Sequence, residues 1–123
     1  MLPEIWYDEK NEVVRIKFTE VWTEEDIPDL FKRIRENVKK SPHKQLIGDV
    51  SEAAPQNYTK AHRKMVAEEA PSLGLDKIAI LGANPVLRMM AKVLLSVIKK
   101  RLTFTARFFN TDEDALAWLR EGK

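Results

Sequence analysis

The sequence contains no cysteine, and only two of its 123 residues are histidine. Without thiols the chain forms no disulfide, no thiolate metal site and no cysteine nucleophile. His43 and His62 alone do not suffice for a multi-histidine metal site within one chain. We therefore predict neither a metal nor any other cofactor.

A strong charge of one sign and a long apolar run are also lacking. The 21 basic and 19 acidic residues leave a net charge of +2, which is too small to indicate nucleic acid as a partner. The first residues turn polar too soon for a secretory signal, so we expect a cytoplasmic protein. The longest apolar stretch is interrupted by Arg88 and Lys92 and is shorter than the roughly 20 residues that cross a bilayer. We therefore predict no transmembrane segment.

The length fits a single domain over residues 1–123, because domains of about 100 to 150 residues are the commonest. Apolar periodicity and turn signals predict nine elements. The strands are expected at 5–7, 13–18, 45–50, 77–82 and 103–108. The helices are expected to begin near Thr23, Thr59, Pro85 and Thr111.

The order of these elements predicts an α/β domain. Strand-helix-strand units with short links form parallel, right-handed crossovers, whereas the five polar residues after the first strand favour an antiparallel hairpin. Three strands alternate apolar and polar residues, unlike strands that are buried on both faces. The predicted fold is a right-handed strand-helix superhelix with a mixed sheet of about five strands, an N-terminal antiparallel hairpin and helices mainly on one face. With all four helices in that layer, the third would have neighbours on both sides.

The helix predicted at 85–98 is the most apolar element. Its polar side chains form a narrow stripe, and its apolar arc is wider than the arc of an ordinary surface helix. Either neighbouring elements cover this arc, or part of it binds a partner or an apolar ligand. Met89, Met90 and Leu94, with Trp22, could line an apolar pocket or an interface, because thioethers adapt to variable ligands. Ordinary core packing is the alternative.

Three segments resemble the SpoIIAA-like branch of the STAS domains, the family of sulfate transporters and anti-sigma-factor antagonists. They are KIAILG at 77–82, RMMAK at 88–92 and RFFNTDEDALAWL at 107–119, and the resemblance covers almost the whole chain in element order. It implies a right-handed superhelix with sequential strands and a regulatory role.

The resemblance also implies a phosphorylation site. Anti-sigma-factor antagonists carry Asp-Leu-Ser at a strand end and then Asp-Ser-Ser-Gly, whose serine a partner kinase phosphorylates. The strand end resembles Asp49-Val50-Ser51, whereas segment 57–60 has neither the aspartate nor Ser-Ser-Gly. Thr59 still places a hydroxyl at a helix start, so Thr59 and Ser51 are candidate phosphorylation sites. For Thr59 the alternative is a capping role.

A basic cluster follows Thr59 in the same predicted helix. Lys60, His62 and Arg63 could bind an anion at the helix start, although no glycine-rich loop precedes it; a solvated face is the alternative. No carboxylate stands beside a histidine or serine at a spacing that catalysis requires. We therefore do not predict an enzyme.

These patterns lead to two hypotheses of different classes. The first is a non-enzymatic cytoplasmic regulatory or binding domain of STAS type that acts by contact with a protein partner or, as a homodimer, with a second copy. The second is a carrier or sensor of a small apolar ligand or lipid, held in a pocket beneath helix 85–98, for which Sec14-type lipid-binding domains offer an analogy.

Overall fold

In the computed structural model the chain forms one five-stranded sheet and four helices; the structure describes residues 2–56, 58–98 and 104–121. The strands are β1 (Glu4–Asp8), β2 (Val13–Lys17), β3 (Gln45–Asp49), β4 (Lys77–Leu81) and β5 (Thr105–Phe109). The helices are α1 (Ile27–Val38), α2 (Lys60–Glu69), α3 (Pro85–Ile98) and α4 (Asp112–Leu119).

The strands lie in sequential order, β1-β2-β3-β4-β5. β1 pairs with β2 antiparallel, and the other three pairs are parallel. The predicted mixed sheet with its N-terminal hairpin is thus confirmed. Each crossover helix joins a strand to its next neighbour in the same direction. Right-handed crossovers of this kind place their helices on one face of the sheet, and α1 contacts α2, which contacts α3.

The last helix lies on the opposite face, so the expectation that all four helices share one layer is wrong for α4. Val14 and Leu46 pack into the core beneath α1 and α2, whereas their neighbours Val13 and Ile47 pack with Trp118 of α4. Successive strand residues point to opposite faces, so the two cores lie on opposite sides. α4 follows the last strand and is not a crossover helix, and the handedness rule therefore does not constrain it.

The expectation that α3 has helices on both sides is also wrong. Because α4 lies on the other face, α3 forms the edge of its layer and packs along α2. None of its residues 85–96 is fully buried. Val86, Met89 and Val93 are 55%, 70% and 45% exposed.

Polar residues cap the starts of three helices. The hydroxyls of Thr59 and Thr111 accept hydrogen bonds from backbone N–H groups in the first turns of α2 and α4. Asn84 caps α3 by accepting from the N–H of Leu87 at 2.8 Å. A short 3-10 turn at Glu24–Asp26 precedes α1, which places Pro28 in the first turn, where proline is tolerated.

Candidate functional site: an apolar cavity beneath α3

A cavity of about 210 Å³ separates α3 from the sheet. Five α3 side chains line it at the spacing of one helix face: Leu87, Met90, Ala91, Leu94 and Leu95. The sheet contributes residues of the same core: Ile16, Leu46, Gly48, Ile78 and Ile80. Residues of α1 and α2 close a further side, so the walls are almost entirely hydrocarbon.

Small residues explain why this space is not filled. Gly48 lies on β3 where its neighbours on the same face carry larger side chains, and a Cβ atom there would meet only Phe18 at 3.6 Å and Leu46 at 4.0 Å. Ala53 and Ala54 line the cavity from the following loop. α3 makes its helix contacts on one side only, and it therefore does not close down onto these small residues.

One end of the cavity is fixed by hydrogen bonds between two loops. The Gln56 side chain is buried, its Oε1 accepts from the N–H of Trp22 at 3.2 Å, and its Nε2 donates to the carbonyl of Trp22 at 2.6 Å. The backbone N–H of Gln56 also donates to Met90 Sδ at 3.4 Å. Gln56 thus connects the loop before α1 to α3, and all three residues line the cavity.

His62 packs against Trp22 without lining the cavity, and it is not available to the predicted anion site. The imidazole is 7% exposed. Its Nδ1 accepts from the backbone N–H of Thr59 at 3.2 Å, and its Nε2 contacts the carbonyl of Trp22 at 3.2 Å. A carbonyl oxygen only accepts, which assigns the ring proton to Nε2. The ring also lies edge-on to the indole of Trp22, with centroids 5.4 Å apart.

The other two members of the predicted anion site do not converge with His62. Lys60 is exposed, and the guanidinium of Arg63 donates to the carbonyl of Tyr58 at 2.8 Å. The basic residues that begin α2 thus include one buried imidazole used as a cap and one arginine bound to backbone. They do not form a common binding site.

The two predicted phosphorylation sites have occupied hydroxyls. Thr59 Oγ1 accepts from the N–H of His62 at 3.0 Å and donates to Glu24 Oε1 at 2.8 Å, so the capping role is realised. Ser51 is exposed, and its hydroxyl donates to Asp49 Oδ1 at 2.7 Å. Phosphorylation of either residue stays a prediction.

Of the four residues predicted to form a pocket or interface, three line the cavity. Trp22, Met90 and Leu94 do so. Met89 points away from it and is 70% exposed, which leaves it a candidate for an interface only. Sequence reasoning missed Gln56 and Tyr58, which lie in a loop without periodicity.

Two exposed carboxylates form ion pairs. Glu52 pairs with Lys17 at 2.5 Å, and Asp112 pairs with Arg15 at 2.7 Å. Within residues 2–56, 58–98 and 104–121, no three His, Asp or Glu side chains gather in a way that could hold a metal ion. Over the same ranges no helix has the length and apolar character that spanning a bilayer requires.

The family model described as SpoIIAA-like matches residues 13–120 of this sequence. The chain belongs to the SpoIIAA-like family. The STAS-type resemblance inferred from the three segments is thereby confirmed.

The fold of this SpoIIAA-like domain is similar to a crystal structure from Thermotoga maritima, a "putative anti-sigma factor antagonist". The TM-score is 0.56 with 13% sequence identity, over 97% of this chain and 95% of the other. An identity this low supports the shared fold alone. A search of curated proteins finds no match.

Proposed function

We propose that this SpoIIAA-like domain is a non-enzymatic cytoplasmic binding domain whose cavity holds a small apolar ligand. The observation that carries the proposal is the cavity of about 210 Å³ between α3 and the sheet, with its hydrocarbon walls. Ligand sites are typically concave and mostly apolar, with few polar groups. This wall has that composition.

The size of the cavity limits the ligand. An engineered apolar cavity of about 150 Å³ stays dry and binds benzene, whereas sites for drug-sized ligands measure roughly 300 to 1,000 Å³. The space beneath α3 therefore suits a small aromatic compound or one alkyl chain of medium length, and it is too small for the body of a two-chain lipid.

Filling the cavity should also stabilise the domain. Unfilled apolar space costs about 24 cal/mol per Å³ in proteins whose cores have been truncated. A ligand that binds only the folded state raises the melting temperature as its concentration increases. Binding and stability should therefore change together.

The test uses N-phenyl-1-naphthylamine, a neutral apolar fluorophore, with the full chain and two α3 variants. Ala91→Phe places a ring in the cavity and should abolish the fluorescence increase without lowering the melting temperature. Val93→Phe adds the same ring on the exposed side of α3 and should bind the probe like the unaltered chain. Failure of the unaltered chain to bind the probe, or full binding by Ala91→Phe, would refute the proposal.

A second candidate function is favoured by the outer face of α3. Val86, Met89 and Val93 are exposed and are spaced three and four residues apart, which places them on one side of the helix. We propose that this face contacts a protein partner or a second copy, in line with a regulatory role for a STAS-type domain.

Native mass spectrometry of the protein purified from its own cells tests the second candidate. A complex or homodimer that Met89→Glu dissociates supports it. A monomer with no bound protein, unchanged by Met89→Glu, counts against it. The same spectrum reports a ligand or a phosphate through the mass of the intact chain.

A further inference from the structure

The charges along the cavity wall restrict which ligands it can take, and the argument rests on the proposed ligand site. We infer that the ligand is an amphiphile with an apolar body and a neutral or cationic polar end, and that carboxylate and phosphate amphiphiles are poor ligands. The inference follows from the polar groups that line the cavity.

The side chains that line the interior offer a ligand few hydrogen-bonding groups. The amide of Gln56 uses its oxygen and its nitrogen on the backbone of Trp22. In the described part of the chain no buried side-chain nitrogen or oxygen lacks a partner. A polar ligand atom in this interior would lose its bonds to water without replacement, which costs roughly 1 to 3 kcal/mol in proteins. We therefore expect the enclosed part of the ligand to be mostly hydrocarbon.

The polar end must then lie where the cavity meets solvent, and Glu20 marks such a place. Glu20 lines the cavity and is exposed, so this residue borders an opening to solvent. No hydrogen bond or ion pair engages Glu20 within the described residues. Its negative charge is thus available to a ligand.

Within the described residues, no lining cation balances this charge. Among the described residues that line the cavity there is no lysine, arginine or histidine. The guanidinium of Arg63 donates to the carbonyl of the lining residue Tyr58, but Arg63 itself does not line the cavity. An anionic head group would therefore meet a carboxylate and no counter-charge, whereas an ammonium group would find a partner.

Three ligands with the same ten-carbon chain test the inference: 1-decanol, decylammonium and decanoate, each kept below its micelle concentration. Their affinities are measured at pH 7.5 by displacement of N-phenyl-1-naphthylamine. We expect decanol and decylammonium to displace the probe at lower concentrations than decanoate. Decanoate that binds as tightly as decanol would overturn the inference and leave the proposed function intact. Absence of binding by the probe and by all three ligands would overturn both.

Variants at position 20 assign the preference to this carboxylate. Glu20→Gln should weaken decylammonium about two- to fivefold, the effect of one exposed ion pair, strengthen decanoate and leave decanol unchanged. Glu9→Gln makes the same charge change at an exposed position of the β1–β2 hairpin and should leave all three affinities unchanged. Equal effects of the two variants, or no effect of Glu20→Gln, would contradict the assignment.

Discussion

Gly82 lies against Ser51 so closely that a Cβ atom on Gly82 would be 2.6 Å from the Cβ of Ser51 and 3.0 Å from its Cα. Gly82 also has φ +78°, a conformation that side chains disfavour. Gly82→Ala should therefore destabilise the domain by about 2 to 4 kcal/mol, the sum of backbone strain and overpacking. Urea unfolding measures this change.

A second glycine supplies the control for this prediction. Gly74 has φ +63°, but a Cβ atom there would meet nothing within 4 Å. Gly74→Ala should lower the unfolding free energy only by the strain of the left-handed backbone conformation, about 1 kcal/mol. Equal costs for the two variants would show that the contact with Ser51 does not constrain the chain.

Gln56 is expected to be a main stabilising contact of the cavity wall. Gln56→Leu removes both hydrogen bonds to Trp22 and leaves a buried N–H without its partner, which costs roughly 1 to 3 kcal/mol. The control is Asn37→Ala, because Asn37 also donates to a backbone carbonyl but through an exposed hydrogen bond; the loss of this bond should cost less than about 0.5 kcal/mol. Similar unfolding free energies for the two variants would be incompatible with the role assigned to Gln56.

Glycine in place of Glu12, in the turn of the β1–β2 hairpin, should stabilise the domain. The φ of Glu12 is +53°, a left-handed conformation that costs a non-glycine residue roughly 1 to 2 kcal/mol. Glu12→Gly relieves this strain, but glycine loses more conformational entropy on folding, which offsets part of the gain. We therefore expect the unfolding free energy to increase by about 0.5 to 1 kcal/mol. Glu9→Gly, in the same hairpin but without positive φ, should destabilise. A loss of stability in Glu12→Gly would contradict this reasoning.

Acid should weaken the hairpin through Asp8. Partial burial raises the pKa of Asp8, but hydrogen bonds from Asn11 and Arg15 outweigh it and lower the pKa from 3.8 to about 2. The unfolded chain therefore binds the proton more readily between these values. The stabilisation, up to about 2 kcal/mol, is fully present above pH 4 and is lost as the pH falls through 2.

Asp8→Asn tests this pH dependence. Its stability deficit relative to the unaltered chain should be largest near pH 7 and should shrink between pH 4 and pH 2, as measured by urea unfolding at each pH. A deficit that stays constant over this range would exclude the carboxylate of Asp8 as its source. Glu9→Gln, an exposed acid in the same hairpin, should change stability by less than about 0.5 kcal/mol at pH 7.

The sheet was predictable because its signals are local. Polar caps such as Asn84 and Thr111 stand directly before helical periodicity, and short links between strands and helices permit only a few topologies. The side of the sheet taken by α4 was not predictable in this way. In the sequence, Arg15 and Lys77 indicate a strand face that is exposed to solvent. In the structure Arg15 instead binds Asp112 at the start of α4, and Lys77 Nζ donates to the carbonyl of Trp118 at the end of α4.

The candidate site was predictable only in part. The apolar arc of α3 indicated Met90 and Leu94, but periodicity alone does not give the distance between a helix and a sheet. That distance depends on long-range features such as Gly48 in β3 and the loop residue Gln56. His62 was misassigned because its residue type indicates a cation, whereas its position three residues after the capping threonine makes it a hydrogen-bond acceptor for the helix start.

The edge position of α3 leaves this helix less tightly packed into the fold than α1. α1 has five buried residues, whereas α3 has none over 85–96 and contacts another helix on one side only. Its local opening should therefore require less free energy than that of α1. We therefore expect substitutions on the inner side of α3 to change the binding of apolar probes at little cost to the unfolding free energy.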